Sequence, residues 1–196
     1  MREILLATDN KNKIEELQKL LEGEFIVRSK KDFGLETIEV EETGESLEEN
    51  ARLKIEKMLE YGNFDPSLIL LADDTGLFVE KLEGRPGVYS ARFAGEKASY
   101  EDNVAKLLDL LEGQESPAYF ETVICLYQNQ EYHLVHGRLH GKIIPERRGN
   151  KGFGYDPVFY LEDKKKTLAE LSMGEKNQLS HRAIAYRNLK KHILLQ

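Results

Sequence analysis

A chain of 196 residues that is 40% hydrophobic and 32% charged can bury a sizeable single core, and its composition excludes a disordered segment. Its net charge of -7 offers no overall basic face to a nucleic-acid backbone, which leaves only a local basic pocket open. The lone Cys125 excludes an internal disulfide, and the apolar run at residues 4–7 is too short for a signal peptide or membrane span, so a cytoplasmic protein without nucleic-acid or membrane partners is expected.

The first element is a short strand, REILLA, followed by the loop TDNKNK and a helix. Ile14, Leu17 and Leu21 recur there at helical spacing, and Gly23 marks the stop. EFIVRS and ETIEV read as strands. Ser46 and Glu49 form a capping-box pattern ahead of a helix with Leu47, Ala51, Ile55, Met58 and Leu59 on one stripe, ending near Tyr61-Gly62. SLILLA is a continuous apolar run of strand length, which fits a strand covered on both faces and ending at Asp73, with LFVEKL pairing nearby. After a turn at residues 84–87 comes a helix over about 103–111. AYFETVICLY and EYHLVHGRLH, joined by residues 128–130, form an antiparallel hairpin, in which Cys125 reads as a buried thiol. The chain closes with YDPVFY and a final helix from Ser180 to about Leu195, with Ile184, Leu189 and Ile193 among its apolar members. With no repeat or long linker, the pattern predicts one α/β domain over 1–196, a mixed sheet with flanking helices.

The stretch LLADDTGL sets two carboxylates beside each other on a buried strand. Neighbouring strand side chains point to opposite faces, so Asp73 and Asp74 cannot both address one site. They read either as a turn or cap, or as a carboxylate that binds a hard cation such as Mg²⁺ and orients water. Glu41 and Glu42, ahead of the Ser46 helix, are favoured there by the helix dipole, or converge with Asp74 on the same cation. The loop Thr8, Asp9, Asn10, Lys11, Asn12, Lys13 is either an Asn cap with surface lysines or a phosphate cradle built on a helix start. In GNKGFGYDP, glycines and aromatics allow close ligand approach and base stacking, or simply a turn over the core. Lys176, and His181 with Arg182 in the first turn of the last helix, stand where the dipole disfavours cations; they are a surface group or donors to a ligand carbonyl.

The order and wording of these blocks, LLATDNKNKIEEL, EETGESLEENARLKI, LADDTGLFVEKLEGRPGVYSARFAG, GFGYDPVFY and EKNQLSHRAIA, resemble the inosine triphosphate pyrophosphatase (Ham1-like) family over nearly the whole chain. The resemblance implies an elongated α/β fold with a long central mixed sheet and two lobes around an active-site cleft. It implies a homodimer that hydrolyses ITP, dITP and XTP to the monophosphate and pyrophosphate with Mg²⁺. By the same resemblance, Asp74 is metal ligand and base, and Glu42, or else Glu41, is the second metal ligand. Thr8 to Lys13 and Thr75 contact substrate. Phe153, Gly154, Tyr155, Asp156, Lys176, His181 and Arg182 line the base pocket. Competing expectations are a Maf-like nucleotide pyrophosphatase of other base specificity, a non-hydrolytic nucleotide sensor, and an RNA binder with a basic groove.

Overall fold

The computed structural model describes residues 2–194, with side chains through residue 191. Its centre is an eight-stranded mixed sheet in the order β2-β1-β3-β5-β6-β7-β8, with β4 pairing the far half of β3. The strands are β1 (Arg2–Leu6), β2 (Phe25–Ser29), β3 (Ile69–Val79), β4 (Pro86–Gly87), β5 (Ser116–Gln128), β6 (Glu131–Ile143), β7 (Phe159–Leu161) and β8 (Lys166–Thr167). The helices are α1 (Lys11–Leu20), α2 (Leu47–Tyr61), α3 (Tyr100–Leu110), α4 (Met173–Leu179) and α5 (His181–Leu194). Among the described residues no helix is long and apolar enough to cross a membrane.

β1 lies parallel to both β2 and β3, with Leu6 opposite Leu71. Parallel strands of this kind are covered on both faces, and the side chains of β1 and β3 divide by strict alternation. Ile4, Leu6, Ile69 and Leu71 join Leu17 of α1, Leu21 just past its end, and Leu189 of α5. Leu5, Leu70 and Ala72 join Ala51, Ile55 and Met58 of α2. Full burial of each such leucine, isoleucine or methionine side chain contributes roughly 1.5–3 kcal/mol, and a one-residue slip would exchange the two faces. Cys125 belongs to the α2 side, where burial pushes its thiol up to about 12.

Contacts along the chain divide it into two compact units: residues 1–74, 122–136 and 185–196, and residues 75–121 and 137–184. The second unit has its own core, in which Leu77, Val79, Val104, Leu107, Phe120, Phe159 and Leu168 pack together.

Most sequence expectations hold. The hairpin between β5 and β6 turns on Asn129 and Gln130, both in the left-handed region at φ 51° and 66°, as a two-residue turn between right-twisted strands requires. Other expectations need correction. ETIEV is not a strand; the Ile38 amide bonds the Leu35 carbonyl and the Ile38 carbonyl accepts from the buried Lys30 ammonium, so this backbone houses a charge instead of pairing. β3 does not end at Asp73 but continues through Thr75 and Gly76 to Val79, and LFV is its far half. Ser46 caps α2, yet the Glu49 carboxylate accepts from the Glu45 amide, one residue before the cap. The short helix α4 was not expected. The last helix is described to Leu194; Leu195 and the Ile193 side chain lie outside the described residues.

Candidate active site

Beyond the end of β1 the chain turns through Thr8 and Asn10 into α1, alongside the middle of β3 because Leu6 is registered with Leu71. The Thr8 hydroxyl accepts the Asn10 amide, and Asn10 Oδ1 accepts the amides of Asn12 and Lys13 at 3.0 and 3.3 Å. Two of the helix-start donors expected for a phosphate are therefore held by the cap itself. Lys11 and Asn12 are exposed. Asp9 is directed to Lys30, 2.6 Å away, which gives this acid a place in the loop's scaffold.

Lys13 reaches from α1 to Asp73: its Nζ stands 2.9 Å from Oδ2 and 3.3 Å from the Asp73 carbonyl. Asp74 faces α2. Lys54 Nζ donates to Asp74 Oδ1 at 3.0 Å and to the Asp73 carbonyl at 3.0 Å, and lies 2.8 Å from Glu42 Oε1. Asn50 Nδ2 donates to Asp74 Oδ2 at 3.3 Å, while Asn50 Oδ1 accepts the Gly44 amide at 2.8 Å. One asparagine thus ties the 41–45 loop to the strand carboxylate. Gly44 permits this approach, since a Cβ there would stand 2.7 Å from Asn50 Oδ1 and from Glu49 Cβ. Of the two adjacent glutamates, Glu42 joins this group and Glu41 is exposed. Thr75, next along the strand, is half-buried.

Burial raises the Asp74 carboxyl above its ordinary range, and the nearby ammonium groups of Lys54 and Lys13 only partly offset it. Burial works against the Lys54 ammonium, but Asp74, Glu42 and Asp73 outweigh it and hold Lys54 charged. Two ammonium groups stand against three carboxylates here, so a polyphosphate meets net negative charge unless a cation comes with it. The donor set is all hard oxygen, and the Lys54 ammonium already shows that Glu42 and Asp74 converge on one positive charge. Among the described residues, no group of three or more His, Cys, Asp or Glu side chains is placed to cage a metal. These residues fit a hard divalent cation held by one or two carboxylates together with a ligand's own oxygens.

The second group belongs to the other unit. Asp156 Oδ2 accepts from Lys176 Nζ at 2.8 Å and from the Phe153 amide at 3.0 Å. Gly152, at φ +77°, leaves no room for a side chain: a Cβ would stand 2.0 Å from Asp156 Oδ2. Lys176 and Arg182, both buried, place their charges 5.4 and 5.5 Å from the centroid of the half-buried Phe153 ring. His181 lies flat on Phe120, centroids 4.6 Å apart. These aromatic contacts explain how two basic residues occupy the first turn of α5 against its dipole, and they replace the surface-pair expectation. The Tyr155 side chain takes the second reading of its loop, a turn over the core. It is a core residue whose hydroxyl donates to the Ser90 carbonyl at 2.8 Å, which leaves Phe153 as the partly exposed aromatic of the loop. Gly154 adopts φ 63°.

Sequence reasoning did not single out Lys54, Asn50 or Ser90. Asn50 and Lys54 are four apart on α2, and that pairing of two polar residues beside a buried stripe was the available signal.

A mixed α/β sheet carrying lysine-paired carboxylates in the middle of a buried strand, beside a strand-to-helix loop, defines an α/β protein with a polar site beside that loop. The chain belongs to the Ham1 family, which its sequence matches over residues 4–192. It is 49% identical over 195 residues to the dITP/XTP pyrophosphatase of Thermoanaerobacter pseudethanolicus, covering 97% of this chain and 96% of that protein. It is 42% identical over 196 residues to the dITP/XTP pyrophosphatase of Bacillus subtilis, again covering 97% and 96%. Among solved structures it resembles a HAM1 protein from Coxiella burnetii, with TM-score 0.87 and 37% identity over 100% of both chains. It also resembles the Staphylococcus aureus Ham1 protein, with TM-score 0.84 and 36% identity over 98% of both.

Proposed function

We propose that the protein is a Mg²⁺-dependent nucleoside triphosphate pyrophosphohydrolase that converts ITP, dITP and XTP to the monophosphate and pyrophosphate. The observation that carries this reading is the convergence of Glu42 and Asp74 on the Lys54 ammonium, with Lys13 one strand residue away on Asp73. Family membership and the names of the relatives supply the substrate class. On the same basis we take the protein to be a cytoplasmic homodimer.

Glu42 and Asp74 would hold the Mg²⁺, which when bound offsets negative charge on the phosphate oxygens. Asp74, whose carboxyl burial holds above its ordinary range, accepts a proton from the water that attacks the α-phosphorus. Lys13 and Lys54 supply fixed positive charge to the phosphate oxygens as the bond to the leaving pyrophosphate breaks. Lys54 also keeps Asp74 oriented through a charge-assisted hydrogen bond, and Asn50 holds the other carboxylate oxygen.

The base is the role of Phe153, Lys176, His181 and Arg182. Hypoxanthine and xanthine present a carbonyl acceptor at the six position where adenine presents an amino donor. A buried guanidinium or ammonium directed at that position gains a hydrogen bond from the first and none from the second, a difference of about 1–3 kcal/mol. Lys176 is fixed by Asp156, so it cannot swing away to avoid a mismatched base.

The test is an NTP panel with Mg²⁺ in which pyrophosphate and orthophosphate are assayed separately. Pyrophosphate and monophosphate in equal amounts from dITP and XTP, with little from ATP, are expected. Orthophosphate as the sole phosphate product would overturn the reaction class, and tight dITP binding without turnover would favour a sensor.

A further inference from the structure

We propose that Asp73 is a positioning residue that sets the direction in which Lys13 presents its charge, and that it is neither a second base nor a metal ligand. The inference rests on reading Lys13 as a ligand of the triphosphate.

Asp73 is fully buried. A buried carboxylate persists only where a cation and hydrogen bonds compensate for lost hydration. That cation is Lys13, and the contact is double: the ammonium meets both the side-chain Oδ2 and the main-chain carbonyl of the same residue. A lysine ammonium has three N–H donors in tetrahedral array on a flexible stem, so two contacts to one rigid residue fix where the third points. The anchor itself is rigid because Asp73 sits inside β3, between Leu71, which is registered with β1, and Asp74.

Alternation along β3 supplies the second argument. Residues 69 and 71 pack on the α1 side and residues 70 and 72 on the α2 side, so position 73 belongs with α1 and position 74 with α2. The lysine contacts agree: the Asp73 carboxylate meets Lys13 of α1, and the Asp74 carboxylate meets Lys54 of α2. The Asp73 carboxylate therefore faces away from the side on which Glu42 and Asp74 converge. Its carbonyl also accepts from Lys54. One peptide carbonyl so receives both lysines, which sets their spacing from a single backbone atom.

The experiment is a double-mutant cycle on Asp73→Asn and Lys13→Ala, read on kcat for dITP with saturating Mg²⁺. It is paired with an NMR measurement of lysine side-chain ammonium groups in ¹⁵N-lysine-labelled protein without nucleotide. If Asp73 works through Lys13, Asp73→Asn lowers kcat on the order of tenfold in the native background and less than about twofold in the Lys13→Ala background. The Lys13 ammonium resonance, assigned by its loss in Lys13→Ala, is slow to exchange in the native protein and is lost in Asp73→Asn, while that of Lys54 persists. Equal fold losses in both backgrounds, or a Lys13 resonance that survives Asp73→Asn, would overturn the proposal. A raised Mg²⁺ requirement with additive effects would assign Asp73 to the metal. A native protein that releases no pyrophosphate would refute the functional reading, and the NMR measurement would still decide the clamp. If Asp73→Asn does not fold, Lys13→Arg replaces it. It keeps the charge but not the tetrahedral donors, and is expected to lose kcat as Lys13→Ala does; native kcat would contradict the proposal.

Discussion

Asp73 and Asp74 are neighbours on one strand, yet each carboxylate has its own lysine from its own helix: Lys13 of α1 for the first and Lys54 of α2 for the second. The two carboxylates are therefore separable by mutation. Asp74→Asn keeps the shape, leaves Lys54 paired to Glu42, and removes a charge whose burial is unfavourable. It is expected to abolish Mg²⁺-dependent pyrophosphate release, with a loss of at least about a thousandfold, while stability changes by less than about 1 kcal/mol. Turnover within tenfold of the native enzyme would remove Asp74 from the chemistry.

Lys54→Met should behave in the opposite way in stability. It leaves the Asp74 and Glu42 carboxylates facing each other without their shared ammonium, and breaking a buried pair in this manner costs about 3–5 kcal/mol. The sign with pH follows from the raised Asp74 carboxyl. A carboxyl whose folded pKa lies above its unfolded value disfavours the folded state once it must ionise. The deficit is therefore absent below the ordinary carboxylate range, grows as pH rises from that range to the raised Asp74 value, and is constant above it. Urea unfolding from pH 4 to pH 8 measures this. Mg²⁺ should restore more stability to Lys54→Met than to the native protein, because the variant's Glu42 and Asp74 carboxylates lack the ammonium that offsets them. A deficit independent of both pH and Mg²⁺ would contradict the charge assignment.

Arg182→Ala examines the other unit. Its guanidinium lies over Phe153 and is buried, so truncation is expected to lower kcat/KM for ITP on the order of a hundredfold and to leave ATP turnover little changed. The ratio of ITP to ATP turnover is the readout. An unaltered ratio would refute a part for Arg182 in reading the base.

Much of this was legible in the sequence because it depends on local chemistry. The 8–13 loop, the Ser46 cap, the β5–β6 hairpin and the alternation that separates Asp73 from Asp74 are all short-range consequences of side-chain type and period. The length of β3 was not legible, because Asp-Thr-Gly is ordinary turn vocabulary. What keeps Gly76 in the strand is distant in sequence: a Cβ there would stand 2.8 Å from the Gly87 carbonyl, so glycine admits the close approach of β4. Lys54 was passed over because a lysine on an amphipathic helix usually lies in water; here Asp74 and Glu42, contributed by other segments, draw it inside. The place of the Tyr155 side chain was open for the converse reason. A tyrosine in a glycine-rich loop looks available, but the carbonyl of Ser90 takes its hydroxyl into the core. α4 carried a readable Ser172 and Glu175 capping box and was missed through its brevity.

The central claim is that water attacks the α-phosphorus of a purine nucleoside triphosphate at a carboxylate-built site. Turnover of dITP with Mg²⁺ in ¹⁸O-enriched water, followed by mass analysis of both products, tests it most directly. One ¹⁸O atom in the monophosphate and none in the pyrophosphate is the predicted result. Label in the pyrophosphate, or in released orthophosphate, would place the attack elsewhere and contradict the mechanism.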